Sequence, residues 1–198
     1  MLNRAKTCVC IGTGGGFIPR LMTQARIDLW HQKIFEGNPQ PEWGDIGTTI
    51  IVDAVNEIGG QTDWTDENSF LRQHFSPQII LETSERAFYD YFVRQDIKID
   101  YLHIDGDHSY EGVKNDFELY SEIVSENGII TIHDTDQKYH DTFIVTEDAK
   151  KDFQSFDGPA KFVKELENNT EWNLVNLKNF CMFGEKVTST GLTILTRK

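Results

Sequence analysis

Apolar and polar positions along the chain follow two rhythms. Short β-branched runs with a period of two read as strands. Longer stretches with apolar residues three and four apart read as amphipathic helices. "TCVCIG" (7–12) is a buried strand ending in glycine. After "TGGG" the pattern predicts a helix with Ile18, Leu21, Met22, Ala25 and Leu29 on its inward face and Pro19 tolerated in its first turn. "TTIIVD" (48–53), "PQIILETS" (77–84), "DYLHID" (100–105) and "GIITIHD" (128–134) predict the second to fifth strands. Between them, "ENSFLRQHF" predicts a short helix and "ERAFYDYFVRQ" (85–95) a helix with Phe88 and Phe92 four apart. "YEGVKNDFELYSEIV" (110–124) carries Val113, Phe117, Tyr120 and Val124 on one stripe. "GPAKFVKEL" (158–166) places Pro159 in a first turn and turns Phe162, Val163 and Leu166 inward. "WNLVNL" (172–177) and "GLTILT" (191–196) are closing strands.

Strands alternating with helices specify an α/β fold built on a mainly parallel sheet. No helical pattern separates the last two strands, so an antiparallel closing pair is expected. The Pro/Gly stretch 36–47 and the weakly periodic stretch 135–157 read as loops, the second as a lid or acceptor-pocket wall at the strand-bearing end. No internal repeat interrupts the pattern, and residues 1–198 read as a single domain.

Composition changes this picture little. Leu, Ile, Val and Phe supply 54 of the 198 residues, which excludes a disordered chain. The formal net charge of −13 repels phosphate backbones and anionic lipid, so neither bulk nucleic acid nor a membrane is expected as a partner. Cys8 and Cys10 alternate on one face of a strand, a poor arrangement for a disulfide or a zinc site. With no apolar run near 18 residues and no leader pattern, the expected location is cytoplasmic.

The candidate chemistry gathers at the C-terminal ends of predicted strands. Open α/β sheets bind ligands along that edge, at the switch point of the strand order. Gly12, Gly14 and Gly16 form a G-x-G-x-G turn after strand 1, and Phe17 replaces the last glycine of a dinucleotide fingerprint. The pattern is nearer to nucleoside sites, with Thr13 inside it. Asp53 ends strand 2, where a carboxylate can accept both ribose hydroxyls or cap a turn. Asp105 and Asp134 end strands 4 and 5 and can converge on one Mg²⁺-type ion. His133 precedes Asp134, and strand alternation sends the two to opposite faces unless the strand ends between them. Asp107 reads as a cap for the following helix. His108 suits a general base near neutral pH, or a solvated turn. His103 reads as core-lining, with a ring nitrogen bonded to a neighbour.

Together these segments resemble class I S-adenosylmethionine-dependent methyltransferases, closest to small-molecule and sugar O-methyltransferases with an "IDGDHSYEGV…D" segment and a "GGxxxxHD" strand end. Here those stand as "IDGDHSYEGVKNDFELY" and "NGIITIHDTD". "VCIGTGGGFIPRLM", "PQIILETSERAF" and "GLTILTR" extend the likeness over nearly the whole chain. The resemblance implies a Rossmann-like seven-stranded sheet with helices on both faces and the last strand inserted antiparallel. It implies S-adenosylmethionine over Gly12, Thr13, Gly14 and Gly16, its ribose near Asp53, its adenine near Thr83 and Ser84, with Asp105 beside it. It also implies Mg²⁺ on Asp105, Asp134 and the His133 position, and in such a site His108, by its position beside Asp105, is the candidate base for an acceptor hydroxyl.

Three positions depart from the family. Cys10 stands where an acid usually helps hold the cofactor's amino-acid end, and His133 stands where the metal-using relatives generally carry an acid or amide. The segment before strand 1 is short, so a small-molecule acceptor would be enclosed by 36–47, by 135–157 or by a second subunit in a homo-oligomer. Two rival readings follow. One is a degenerate member that binds nucleoside without catalysis. The other is a metal-dependent hydrolase, since "HIDGDH" partly matches an H-x-H-x-D-H zinc motif.

Overall fold

The computed structural model describes residues 5–13, 17–36, 47–55, 66–136, 157–177, 182–183, 186–187 and 190–198. The strands β1 (Thr7–Ile11), β2 (Thr48–Val52), β3 (Gln78–Ile80), β4 (Ile99–Ile104), β5 (Val124–His133), β6 (Trp172–Leu177) and β9 (Leu192–Arg197) form one sheet in the order β3-β2-β1-β4-β5-β9-β6. A separate two-stranded ribbon pairs β7 (Met182–Phe183) with β8 (Lys186–Val187). The pairs from β3 to β5 are parallel, whereas β9 runs antiparallel to both β5 and β6. This is the doubly wound arrangement expected from the sequence, with the closing strand inserted rather than appended.

Register fixes where the site must lie. Ile11 sits opposite Val52 and Ile104, and Ile104 opposite Ile132. The next residue of each strand is therefore level with the others: Gly12, Asp53, Asp105 and His133 share one edge. The chain moves outward from β1 through β2 to β3, then returns to β4 on the other side of β1. The crevice between the ends of β1 and β4 is the switch point.

One sheet face carries the main core. Val9, Ile11, Ile50, Val52, Leu102, Ile104, Ile130, Ile132 and Leu195 pack against α3 (Ser84–Ala87), its π-helical continuation (Phe88–Val93), α4 (Tyr110–Ser121) and α5 (Gly158–Leu166). Phe117 meets the rings of Phe162 and Trp172, each at 5.3 Å between centroids. Tyr120 is fully buried and donates its hydroxyl to the Ser84 carbonyl at 2.9 Å.

The other face carries α1 (Phe17–Phe35) and α2 (Phe70–Phe75). Here the expectation for α1 is corrected. Its buried positions are Pro19, Met22, Thr23 and Arg26, while Leu21 is 49% exposed and Ala25 is exposed. Thr49 on β2 explains the rotation: its hydroxyl oxygen accepts from Arg26 Nη2 at 2.8 Å and lies 2.8 Å from Thr23 Oγ1. A buried guanidinium needs such partners, and only this face of the helix reaches them. Part of the predicted stripe does face inward: Met22, with Ile18 beside it, packs on Cys8 and Cys10, whereas Leu21 and Ala25 border an open groove of about 300 Å³ lined also by Tyr101 and Ile129.

Three boundaries differ as well. β3 spans Gln78–Ile80 rather than 77–84, because Thr83 turns the chain by capping α3 and accepting from the Arg86 N–H. The helix expected over 110–124 ends at Ser121, and Val124 opens β5 opposite Ile99. The loops expected at 36–47 and 135–157 fall almost entirely outside the described residues. Among the described residues no helix is long and apolar enough to cross a membrane.

Candidate functional site

Gly12 begins the site. Its φ of +76° is left-handed, and a β-carbon there would lie 2.0 Å from the Asp105 carbonyl oxygen. Only glycine lets the turn after β1 sit against the end of β4. The Asp105 N–H donates to the Ile11 carbonyl at 2.8 Å and the Gly12 N–H to the Val52 carbonyl at 2.9 Å. Three strand ends are thereby tied together. Gly14 and Gly16 lie outside the described residues.

Thr13 is buried and donates both its backbone N–H (3.0 Å) and its hydroxyl (2.8 Å) to Asp53 Oδ2. The other Asp53 oxygen accepts from the Val55 N–H at 2.9 Å. The carboxylate is thus fixed in orientation at the crevice. Thr83 and Ser84 are engaged elsewhere: Thr83 caps α3, and the Ser84 hydroxyl donates to the buried Asp116 carboxylate. Cys10 is buried and free, donates its thiol to the Gly12 carbonyl at 2.9 Å, and is pushed well above the ordinary thiol range by burial. It sits there as a neutral group.

Across the crevice lies a cluster of two carboxylates and two imidazoles. His108 Nε2 is 2.9 Å from Asp134 Oδ2 and 3.3 Å from Asp105 Oδ1. His133 Nδ1 is 3.1 Å from Asp105 Oδ1 and 3.1 Å from Asp134 Oδ1. The strand does end between His133 and Asp134: Asp134 adopts a left-handed φ of +56°, which brings both side chains to the same side. A non-glycine residue held there stores roughly 1–3 kcal/mol, a common feature of functional sites.

Burial alone would lower the His108 pKa, but its hydrogen bonds with Asp105 and Asp134 outweigh that and push it up to about 9. His133 is raised for the same kind of reason, chiefly through Asp105. Burial opposes ionisation of Asp105, yet His108 and His133 hold it well below the usual carboxylate range. Asp134 is lowered by His108, His133 and Thr190 against its own burial. Asp105, His108 and Asp134 also form a group of potential metal-ligand atoms within 4.8 Å of one another.

Supporting residues differ from the sequence expectation in detail. The N-cap of α4 is Ser109, which accepts from the Gly112 N–H; Asp107 braces that cap by accepting from the Ser109 N–H and hydroxyl. His103 is core-lining as expected, with Nδ1 2.9 Å from Thr131 Oγ1. Thr190 was not legible in the sequence. It precedes β9, and the insertion of β9 beside β5 sets its hydroxyl 3.1 Å from His133 Nε2.

Comparison with known proteins bears on the family and the fold. A family model described as "Methyltransferase domain" matches residues 9–135. The fold is shared with an O-methyltransferase from Bacillus cereus in complex with SAH, at a TM-score of 0.65 and 12% identity, covering all of this chain and 76% of that one. It is shared equally with the O-methyltransferase TomG from Streptomyces achromogenes, involved in tomaymycin synthesis and in complex with SAM, at a TM-score of 0.64 and 12% identity, covering all of this chain and 75% of that one. No curated protein matches the chain.

Proposed function

The chain belongs to the methyltransferase-domain family, and from that premise we propose that it methylates a hydroxyl oxygen of a small molecule or sugar with S-adenosylmethionine as donor. The observation that carries this reading is the level edge at the β1/β4 switch point, where the Thr13–Asp53 pair faces the Asp105–His108–His133–Asp134 cluster.

The residues fit the nucleoside end of the cofactor. Asp53, oriented by Thr13 and Val55 at the end of β2, is a carboxylate of the kind that accepts ribose hydroxyls. S-adenosylmethionine, when bound, supplies an electrophilic sulfonium methyl group. His108 is the base of this scheme: it takes the acceptor hydroxyl's proton as that oxygen attacks in line. Asp105 and Asp134 orient its ring and stabilise the imidazolium that results. Holding both reactants in one crevice supplies the alignment that displacement at carbon needs. Acceptor enclosure falls to 36–47, 135–157 or a second copy of the chain.

Mg²⁺, which the family resemblance carries with it, suits this donor set poorly. It prefers a shell of oxygens, whereas His133 Nδ1 lies between the two carboxylates. The proton transfer above uses side chains alone.

Cys10 favours a second reading, nucleoside binding without transfer. A neutral thiol cannot replace a carboxylate opposite the cofactor's ammonium group. Calorimetric titration with S-adenosylmethionine and S-adenosylhomocysteine, followed by a screen of hydroxyl acceptors, tests both. Micromolar binding with transfer to any acceptor supports the enzyme. Binding with no transfer over a broad panel supports the second reading, and no binding of either nucleoside overturns both.

A further inference from the structure

We propose that Asp116 is a positioning residue for the nucleoside: it fixes the turn after β3 relative to the turn after β4, and so the width of the space left for the base. The proposal rests on reading this edge as the S-adenosylmethionine site, and it adds a residue that lies beneath the edge rather than on it.

Asp116 is on the buried side of α4, 3% exposed, one turn before Tyr120. Residues four apart share a helix face, and these two reach the same neighbour. The Asp116 carboxylate accepts from the Ser84 hydroxyl, and the Tyr120 hydroxyl donates to the Ser84 carbonyl at 2.9 Å. Thus α4 grips the first residue of α3 by both its side chain and its backbone. Thr83, directly before it, caps the same helix, so the turn after β3 is held in one shape.

The second oxygen of the same carboxylate reaches a different turn. A β-carbon on Gly106 would lie 3.4 Å from Asp116 Oδ2 and 3.1 Å from Ile11 Cγ2. Gly106 follows Asp105, so Asp116 also backs the turn after β4. In the order β3-β2-β1-β4, these two turns bracket the ends of β2 and β1, where Asp53 and Gly12 lie. The β3 side is tied in as well, because the Asp53 N–H donates to the Ile80 carbonyl at 3.1 Å. A nucleoside with its ribose on Asp53 has its base between walls that one buried side chain sets from below.

Packing alone does not call for a carboxylate here. Asp116 shares the buried side of α4 with Val113, Phe117 and Tyr120, and burial raises its carboxyl to about 6. An apolar side chain of similar size would avoid that desolvation. What the carboxylate adds is direction: it fixes Ser84 relative to Gly106, which an apolar group cannot do.

The test is calorimetric titration of S-adenosylhomocysteine at about pH 8, where Asp116 is ionised. It uses the parent, Ser84→Ala, Asp116→Ala, Asp116→Asn and the double variant Ser84→Ala/Asp116→Ala, with urea unfolding of each alongside. Ser84→Ala is expected to weaken the nucleoside roughly fivefold, the value of one hydrogen bond. Asp116→Ala is expected to weaken it roughly tenfold, and the double variant no more than about twofold further, because the two side chains act through each other. Asp116→Asn, whose amide oxygen can still accept from Ser84, is expected to stay within about threefold of the parent. If Asp116→Ala does not fold, Ser84→Ala and Asp116→Asn decide the matter. Lost urea stability with unchanged affinity in Ser84→Ala reduces the contact to a structural tie and overturns the proposal. Additive losses in the double variant overturn it too, as does Asp116→Asn binding as weakly as Asp116→Ala. A parent that binds neither S-adenosylmethionine nor S-adenosylhomocysteine overturns the nucleoside reading together with this proposal. A parent that binds, beside variants that bind equally well, overturns the proposal alone.

Discussion

Thr13 holds one oxygen of Asp53 with two hydrogen bonds, from its backbone N–H at 3.0 Å and its hydroxyl at 2.8 Å. A carboxylate pinned in this way would meet the ribose of the proposed cofactor with little reorganisation. Thr13→Val is therefore expected to weaken S-adenosylhomocysteine by roughly fivefold, the value of one lost hydrogen bond. Asp53→Ala is expected to weaken it by roughly 10- to 100-fold. Calorimetry on folded variants checks this; unchanged affinity in Asp53→Ala would remove Asp53 from the nucleoside site.

His108 should set the pH dependence of transfer. Its pKa of about 9 leaves the ring protonated at neutral pH, and a base must first lose that proton. In metal-free protein the rate is expected to climb about tenfold per pH unit below 9 and to level above it. His108→Gln is expected to lose roughly 10²- to 10⁴-fold in kcat and to abolish that limb. A flat profile in the parent protein would show that His108 is not the base.

Two buried groups make opposite contributions to stability over acidic pH. Burial raises the Asp116 carboxyl to about 6 from 3.8, so between those values the folded state binds more protons and stability falls as pH rises. Burial lowers the His103 imidazole to about 4 from 6.5, so over that window the unfolded state binds more protons and stability rises with pH. Each shift corresponds to roughly 3 kcal/mol, and in the parent protein they largely offset between pH 4 and 6. Asp116→Asn is expected to expose the rising slope and His103→Asn the falling one, measured by urea unfolding across the range. Slopes unchanged from the parent would refute the assignment.

Gly12→Ala should be among the most damaging single changes outside the core. It places a methyl group on the Asp105 carbonyl and forces a left-handed φ. A loss above about 3 kcal/mol in chemical denaturation is expected. A loss under about 1 kcal/mol would mean that the β1 turn relaxes easily away from β4.

Much of this was legible in the sequence because it is local. The strand at 172–177 and the helix at 158–166 form with the bounds their periodicity predicts. Gly12, Asp53, Asp105 and His133 meet because strand ends in a doubly wound sheet align. What stayed hidden depends on distant partners or special backbone. Arg26 turns inward because Thr49 is there to receive it. The common side of His133 and Asp134 comes from a left-handed aspartate, which no alternation pattern signals. Thr190 reaches His133 across 57 positions of chain.

The placement of β9 carries a consequence for biosynthesis. β6 lies at the sheet's edge and hydrogen-bonds to it through β9, although β6 is translated first. On a ribosome, residues 172–177 therefore emerge without a docking partner in the sheet, and His133 waits for Thr190. Vectorial synthesis can lay down β1 to β5 as a parallel sheet early, but the far side of β5 is completed only after the last strand has threaded between two older ones. A nascent chain stalled before residue 190 would carry Asp105, His108, His133 and Asp134 but lack the Thr190 hydroxyl beside His133 and the strand that covers the free edge of β5.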